Sequence, residues 1–274
     1  MPDANLDLYA RLPEHGPVES RLGRAIISLV EPHLGREREY NRWYEDDHLI
    51  VSAMACPWVF AGKRWVATRA LRPLRLPKDD ADAASLDLGC YLAAYWILDG
   101  RYKEFLAWAR SLVGNRLMPT GRMSPARTHI FTNDQQHVRS VYRDPEGPRD
   151  VHALDYPFGG LVIETVDAHG AAERAELERW LADAHIPSTI RNSPSTMCLM
   201  FRTTIPPKPR SSITWYQRRI TLMWFFENSP IAEWPHMFAG EQEAIQRRDL
   251  GRLTMLAPFV PVFPGTNRYV DELR

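Results

Sequence analysis

Short apolar, β-branched runs alternate with charged, helix-compatible stretches along this chain. Ala25–Glu31 (AIISLVE) is the first such run and predicts a strand. The charged stretch Arg36–Asp47 (REREYNRWYEDD) has no Gly or Pro, and none follows before Pro57, so it predicts a helix. Trp58–Thr68 (WVFAGKRWVAT) and Leu88–Leu98 (LGCYLAAYWIL) predict two more strands, the latter ended by Gly100. Arg101–Val113 has helical spacing through Phe105, Leu106 and Ala109, and Ala126–Thr132 supplies a fourth strand after Pro125.

The second half shows the same order. When the chain is slid along itself until His48 meets His185, Arg42, Trp43 and Asp46 fall on Arg179, Trp180 and Asp183. The same displacement also lays Ile26–Glu31 on Ile163–Ala168 and Pro57 on Pro194, without a gap. Further on, Ile213–Glu227 holds the aromatic strand TLMWFFE, Ile231–Asp249 contains a helix, and Leu256–Phe263 is a strand interrupted by prolines, expected to be an edge or loosely paired. Each half thus reads β-α-β-β-α-β, which points to duplication.

That order is the split βαβ, ferredoxin-like unit, whose antiparallel sheet carries helices on one face and must cover the other. Two such units in one chain cover each other. The expected fold is α+β: two tandem ferredoxin-like units packed as an intrachain version of a dimeric α+β barrel, with the ligand pocket between the sheets. The expected divisions are an N-terminal arm (1–22), a first unit (23–135), a linker (136–158) and a second unit (159–274). Arg69–Ser85 and Ile205–Ser212 read as Pro-rich excursions outside the repeat.

Composition narrows the functional classes. The 34 basic and 34 acidic residues balance, so no net field favours nucleic acid or an anionic membrane. Three scattered cysteines, Cys56, Cys90 and Cys198, form no metal-spaced pair. The N-terminal arm lacks an apolar run and no stretch reaches a membrane span, so a cytoplasmic location is the expectation. Neither a phosphate-binding loop nor a Gly-x-Ser-x-Gly nucleophile elbow is present.

The chemistry-bearing residues concentrate on the first predicted helix. Asn41, Tyr44 and His48 share one helical face, and Asp47 lies one helical turn after Trp43 on the neighbouring stripe. His48 offers a neutral-pH proton acceptor, Tyr44 and Asn41 offer orienting donors, and Asp47 could hold the second imidazole nitrogen. The segment Asn41-Arg42-Trp43-Tyr44-Glu45-Asp46-Asp47-His48 resembles the Asn-x-Trp-Tyr-x-x-x-His-x-Pro motif of EthD-like members of the dimeric α+β barrel superfamily. Ile50 replaces the motif's proline in the first copy. The second keeps His185-Ile186-Pro187 but has Glu178 and Leu181 where the first has Asn41 and Tyr44.

Candidate substrate contacts are Trp58, Arg64, Tyr91, Tyr95 and His129 in the first half and His185 and Trp224 in the second. Tyr91 and Tyr95 share one face of their strand, and one of Lys63 and Arg64 is expected to reach the pocket. The residues lead to the expectation of a cofactor-free enzyme that abstracts and returns protons by acid–base chemistry. The resemblance implies the range lyase, dehydratase, isomerase or cyclase on a small hydrophobic, aromatic or polyketide-like substrate. The resemblance also implies three alternatives: a heme protein ligated through His48, His129 or His185, a cofactor-free monooxygenase, or a non-catalytic binding module. Exposed barrel edges would allow a homodimer, and the sequence leaves the oligomeric state open.

Overall fold

A computed structural model describes residues 20–77, 88–204, 217–231 and 234–274. Most of the N-terminal arm, the end of the 69–85 excursion and the Ile205–Ser212 loop lie outside the described residues. The first half contains β1 (Leu22–Pro32), α1 (Glu37–Trp43), β2 (Val59–Val66), β3 (Tyr91–Leu98), α2 (Tyr102–Ala109) and β4 (Arg127–Tyr142). The second contains β5 (Gly160–Ala168), α3 (Ala171–Trp180), α4 (Ile186–Arg191), β6 (Ser195–Thr203), β7 (Arg219–Phe226), α5 (Trp234–Met237), α6 (Glu241–Arg248) and β8 (Gly251–Pro261). β4 runs on to Tyr142, well beyond the strand end expected at Thr132 and into the segment read as linker.

The eight strands close into one antiparallel barrel in the order β1-β3-β2-β8-β5-β7-β6-β4. Each half contributes four strands in the same internal order, and the halves meet edge to edge at β4–β6 and β2–β8. The two seams differ. β4 and β6 pair over seven positions, from Gln135↔Thr203 to Tyr142↔Met197, whereas β2 and β8 pair only at Trp65↔Pro261 and Val66↔Val260. Pro261 has no N–H to donate, and after one more backbone bond, from Val262 N–H to the Arg64 carbonyl (3.2 Å), Pro264 follows and the ladder ends.

Alternation along each strand sorts the side chains into layers. Trp65, Trp96, Phe201, Phe225 and Phe259 point inward and fill the barrel. An eight-stranded barrel is just wide enough for its side chains, so the pocket expected between the sheets is occupied by core. Outward-facing residues meet the helices instead: Tyr91, Tyr95 and Val66 in the first half, Val162, Cys198 and Trp224 in the second.

The same alternation corrects the alignment of the two halves. Ile27 and Ile163 both face inward, while Ile26 packs outward. The helices correspond with His48 on His185, but β1 and β5 correspond with the offset shortened by a single position, as Ile27 with Ile163 or Ser28 with Glu164. A gap-free alignment instead places Ile26 on Ile163 and so sets outward positions against inward ones, because a slip of one position reverses the face of a strand.

Candidate functional site

Beyond Trp43 the first helix continues as π-helical turns, Tyr44–His48 and Ile50–Met54. The second half does the same at Leu181–His185. A π turn places more residues in each revolution, so side chains drift from the 3.6-residue stripes on which sequence reasoning relied, and such turns recur at functional sites. Two stripes result. Asn41 and Glu45 reach Arg64 on β2, whereas Tyr40 packs on Tyr44 and Tyr91, and Tyr44 meets His48 farther along the layer.

Arg64 is the centre of the first stripe. Its guanidinium is buried, donates from Nη1 to Asn41 Oδ1 (3.0 Å), and forms an ion pair with Glu45, itself buried. The guanidinium carbon lies 4.3 Å from the Tyr44 ring centroid and 4.5 Å from that of Tyr91. Burial opposes its charge, but Tyr40, Glu45, Tyr44 and Tyr91 outweigh it and hold the group above its ordinary pKa. Arg64 Nε and Nη2 and the Tyr91 hydroxyl find no hydrogen-bond partner among the described residues. Such orphaned buried donors are uncommon and call for an explanation.

A cleft of about 570 Å³ opens where β2 and β8 diverge, and Arg64 and Glu45 lie in its wall. Leu49, Phe158, Val262 and Phe263 make much of the remaining lining apolar. Lys63 also lines it, donating from Nζ to the Tyr156 carbonyl (3.0 Å). Burial lowers the Lys63 pKa, with Asp155 opposing. Volume and lining are those of a site for one small, largely hydrophobic molecule, with Glu45, Asp155, Lys63 and Arg64 as its charged groups.

The other sequence-selected residues are distributed around this centre. Tyr44 and Tyr95 join their hydroxyls in a short buried hydrogen bond, and burial raises both pKa values. His48 stacks on Trp43 (centroids 4.4 Å apart) and meets Tyr44 edge-on (5.0 Å). Burial, with Arg127 adding to it, lowers its pKa to about 3, so the imidazole is neutral at neutral pH. Asp47 pairs with Arg122. Asn41 also donates from Nδ2 to the Thr266 carbonyl (2.8 Å), tying α1 to the segment after β8. Trp58 lies under Arg101 (4.8 Å), away from the cleft. His129 sits exposed on β4, accepting from Arg127 Nε (3.0 Å). Of the candidate catalytic and substrate-contact residues only Arg64 lines the cleft, with its neighbour Lys63 beside it. Glu45 was missed, although its place one helical turn after Asn41 was the available signal.

His185 and Trp224 belong to a second cluster, between α3, α6 and the second-half sheet. His185 stacks on Trp180 (4.7 Å) and brings Nε2 within 2.7 Å of Glu241 Oε1. Trp224 donates from Nε1 to Glu164 Oε2 (2.8 Å). Burial raises the Glu164 pKa well above the carboxylate range, with Glu241 adding to it. Neither glutamate stood out in the sequence, since each sits singly in an otherwise ordinary strand or helix.

No protein-family model matches the sequence, and no curated protein matches it. Solved structures do share its architecture. An anthrone oxidase-like protein superposes with a TM-score of 0.58 at 10% identity, over 90% of this chain and 95% of that one. A heme-bound DypB variant from Rhodococcus jostii gives 0.53 at 10% identity, over 94% and 98%. A monooxygenase candidate from Fusobacterium nucleatum gives 0.50 at 8% identity, over 88% and 93%. At such identities the likeness is one of fold, the dimeric α+β barrel.

Proposed function

We propose that the chain is a cofactor-independent enzyme that ionises a small aromatic ketone or polyketide-like phenolic in the β2–β8 cleft. Glu45 acts as base and Arg64 holds the oxyanion. The carrying observation is the buried Arg64 guanidinium, with two nitrogens, Nε and Nη2, lacking partners among the described residues, beside a carboxylate in the wall of a cleft of about 570 Å³.

Removing a proton from the carbon next to a carbonyl moves charge onto the carbonyl oxygen. A fixed cation in a site shielded from water stabilises that charge more than water does. Glu45 keeps one oxygen on Arg64, and its Oε2, 3.3 Å from the Gly265 N–H, is the atom that takes the proton. Returning the proton to another carbon gives isomerisation, and loss of a neighbouring leaving group gives elimination. The base is read as Glu45 because it shares the cleft with Arg64, whereas His48 lies on the next stripe behind Tyr44. Tyr44 and Tyr95 then act as scaffold around the cation.

Heme, which one fold relative carries, does not fit these residues. His185 Nε2, the atom that would meet iron, faces Glu241, and the layer beside it is filled by Trp224, Phe226 and Phe238. The His129 ring nitrogens meet Arg127 and Thr132, and His48 has Trp43 stacked on one face and Tyr44 at its edge.

Hydrogen–deuterium exchange at the acidic C–H of anthrone and related aromatic ketones tests the reading, with oxygen uptake followed in parallel. Wild type should accelerate exchange, and a folded Glu45→Gln variant should lose about 100-fold or more of it. Equal exchange by the variant would remove Glu45 as base. Binding without any exchange would leave a binding module. Oxygen consumption would place the same carbanion in a monooxygenase.

A further inference from the structure

We propose that Glu164, His185 and Glu241 form a binding site for one divalent first-row transition-metal ion in the second half, separate from the β2–β8 cleft. Glu164 projects outward from β5, Glu241 begins α6, and His185 closes the π turn after α3. One ligand atom from each lies within 4.8 Å of the other two. The convergence is of unsatisfied atoms. Glu164 Oε1 lacks a hydrogen-bond partner among the described residues, and His185 Nε2 and Glu241 Oε1 face each other at 2.7 Å without the geometry of a hydrogen bond. Glu164 is fully buried and Glu241 is 4% exposed.

Charge points the same way. Two carboxylates occupy an apolar layer, and no lysine or arginine among the described residues forms an ion pair with either. Buried acids without cations are costly, and a doubly charged ion would neutralise the pair. One imidazole nitrogen and two carboxylate oxygens suit zinc, manganese or ferrous iron. Ligands stand about 2.0–2.2 Å from such ions, so small side-chain shifts would close the set. The ligands are also held from behind. Trp224 Nε1–H fixes Glu164 through its other oxygen, and Trp180 stacks on the His185 ring. Outer partners of this kind orient metal ligands. In the first half, Ser28 stands where β5 has Glu164, so the set belongs to one half only.

The test uses the full chain, stripped with chelator and then equilibrated separately with zinc and cobalt(II). Bound metal is counted after gel filtration, affinity is measured by calorimetry, and the cobalt visible spectrum gives a second readout. One ion per chain is expected. Glu164→Gln and Glu241→Gln, which conserve size, should weaken binding more than about 100-fold, and Trp224→Phe by about 10–100-fold. Near-ultraviolet circular dichroism establishes that each variant is folded. Retention of less than about 0.1 ion per wild-type chain, or undiminished binding by both folded glutamine variants, would overturn the assignment. In the first case the cluster is held together by protons.

Discussion

Replacing Arg64 by methionine removes the cation while keeping much of the aliphatic volume. The side chains of Arg64 and Glu45 are 2% and 4% exposed, so water cannot take over the lost interaction. Two charges about 4 Å apart at an effective dielectric constant of 20 attract by about 4 kcal/mol, and stranding one partner of a buried pair costs about 3–5 kcal/mol. Loss of the guanidinium contacts with the Tyr44 and Tyr91 rings acts in the same direction. In a chain of this size that corresponds to a fall in melting temperature of roughly 5–9 °C. The double variant Glu45→Met with Arg64→Met removes both charges and should recover most of the loss, because well-packed apolar replacements of buried pairs are often neutral. Urea denaturation of wild type, both single variants and the double variant closes the cycle. A cost below about 1 kcal/mol for Arg64→Met would mean that water reaches the pair, and the dry oxyanion site would lose its basis.

Two further outcomes follow from the same layer. The folded-state pKa of His48 is depressed, so its neutral form is present above the ordinary value of 6.5 and stability falls as pH drops from there towards about 3. The slope should be about 1.4 kcal/mol per pH unit, flattened in His48→Asn, and a native-state His48 ring that titrates near 6.5 by NMR would contradict the burial argument. Tyr44→Phe strands the Tyr95 hydroxyl and should cost about 1–3 kcal/mol in a denaturation experiment, largely recovered on adding Tyr95→Phe. No recovery in the double variant would show that the hydroxyl pair is not what Tyr44 contributes.

Much of the architecture was legible because it rests on period and order. Runs such as Leu88–Leu98 announce strands through composition, and the β-α-β-β-α-β order leaves a sheet face that another sheet must cover. The inside and outside of the barrel were harder to read. Leu92 and Ala94 face in and Tyr91 and Tyr95 face out, yet all four are buried, so the strand shows no apolar–polar alternation. For the same reason the single-position difference between the helix and strand offsets left no trace in hydropathy. The π turn is silent as well. It depends on i to i+5 backbone bonds, and beyond Tyr44 it carries His48 off the stripe on which Asn41 and Glu45 reach Arg64. Glu164 and Glu241 are remote from each other in sequence and meet only through the fold.

The positions of the two polar clusters follow from what each face of a strand can hold. Inside the barrel every position is surrounded by the other strands, and Trp65, Trp96 and Phe225 leave no route to solvent for a charge. The outward face meets only one layer of helices, and that layer has edges. At one edge the β2–β8 ladder ends and a cleft opens with Arg64 in its wall, and at another the π turn carries His185 from the surface towards Glu164. Ionisable groups on this face can therefore exchange protons, ions or substrates with solvent while keeping low-dielectric surroundings. An arginine one residue later would point into the barrel with Trp65, and one residue earlier, where Lys63 reaches the cleft wall, it would face the Tyr156 carbonyl rather than Glu45. The register of β2 is thus the feature on which the proposed chemistry depends, and it is fixed by Trp65 and Ala67 packing in the core.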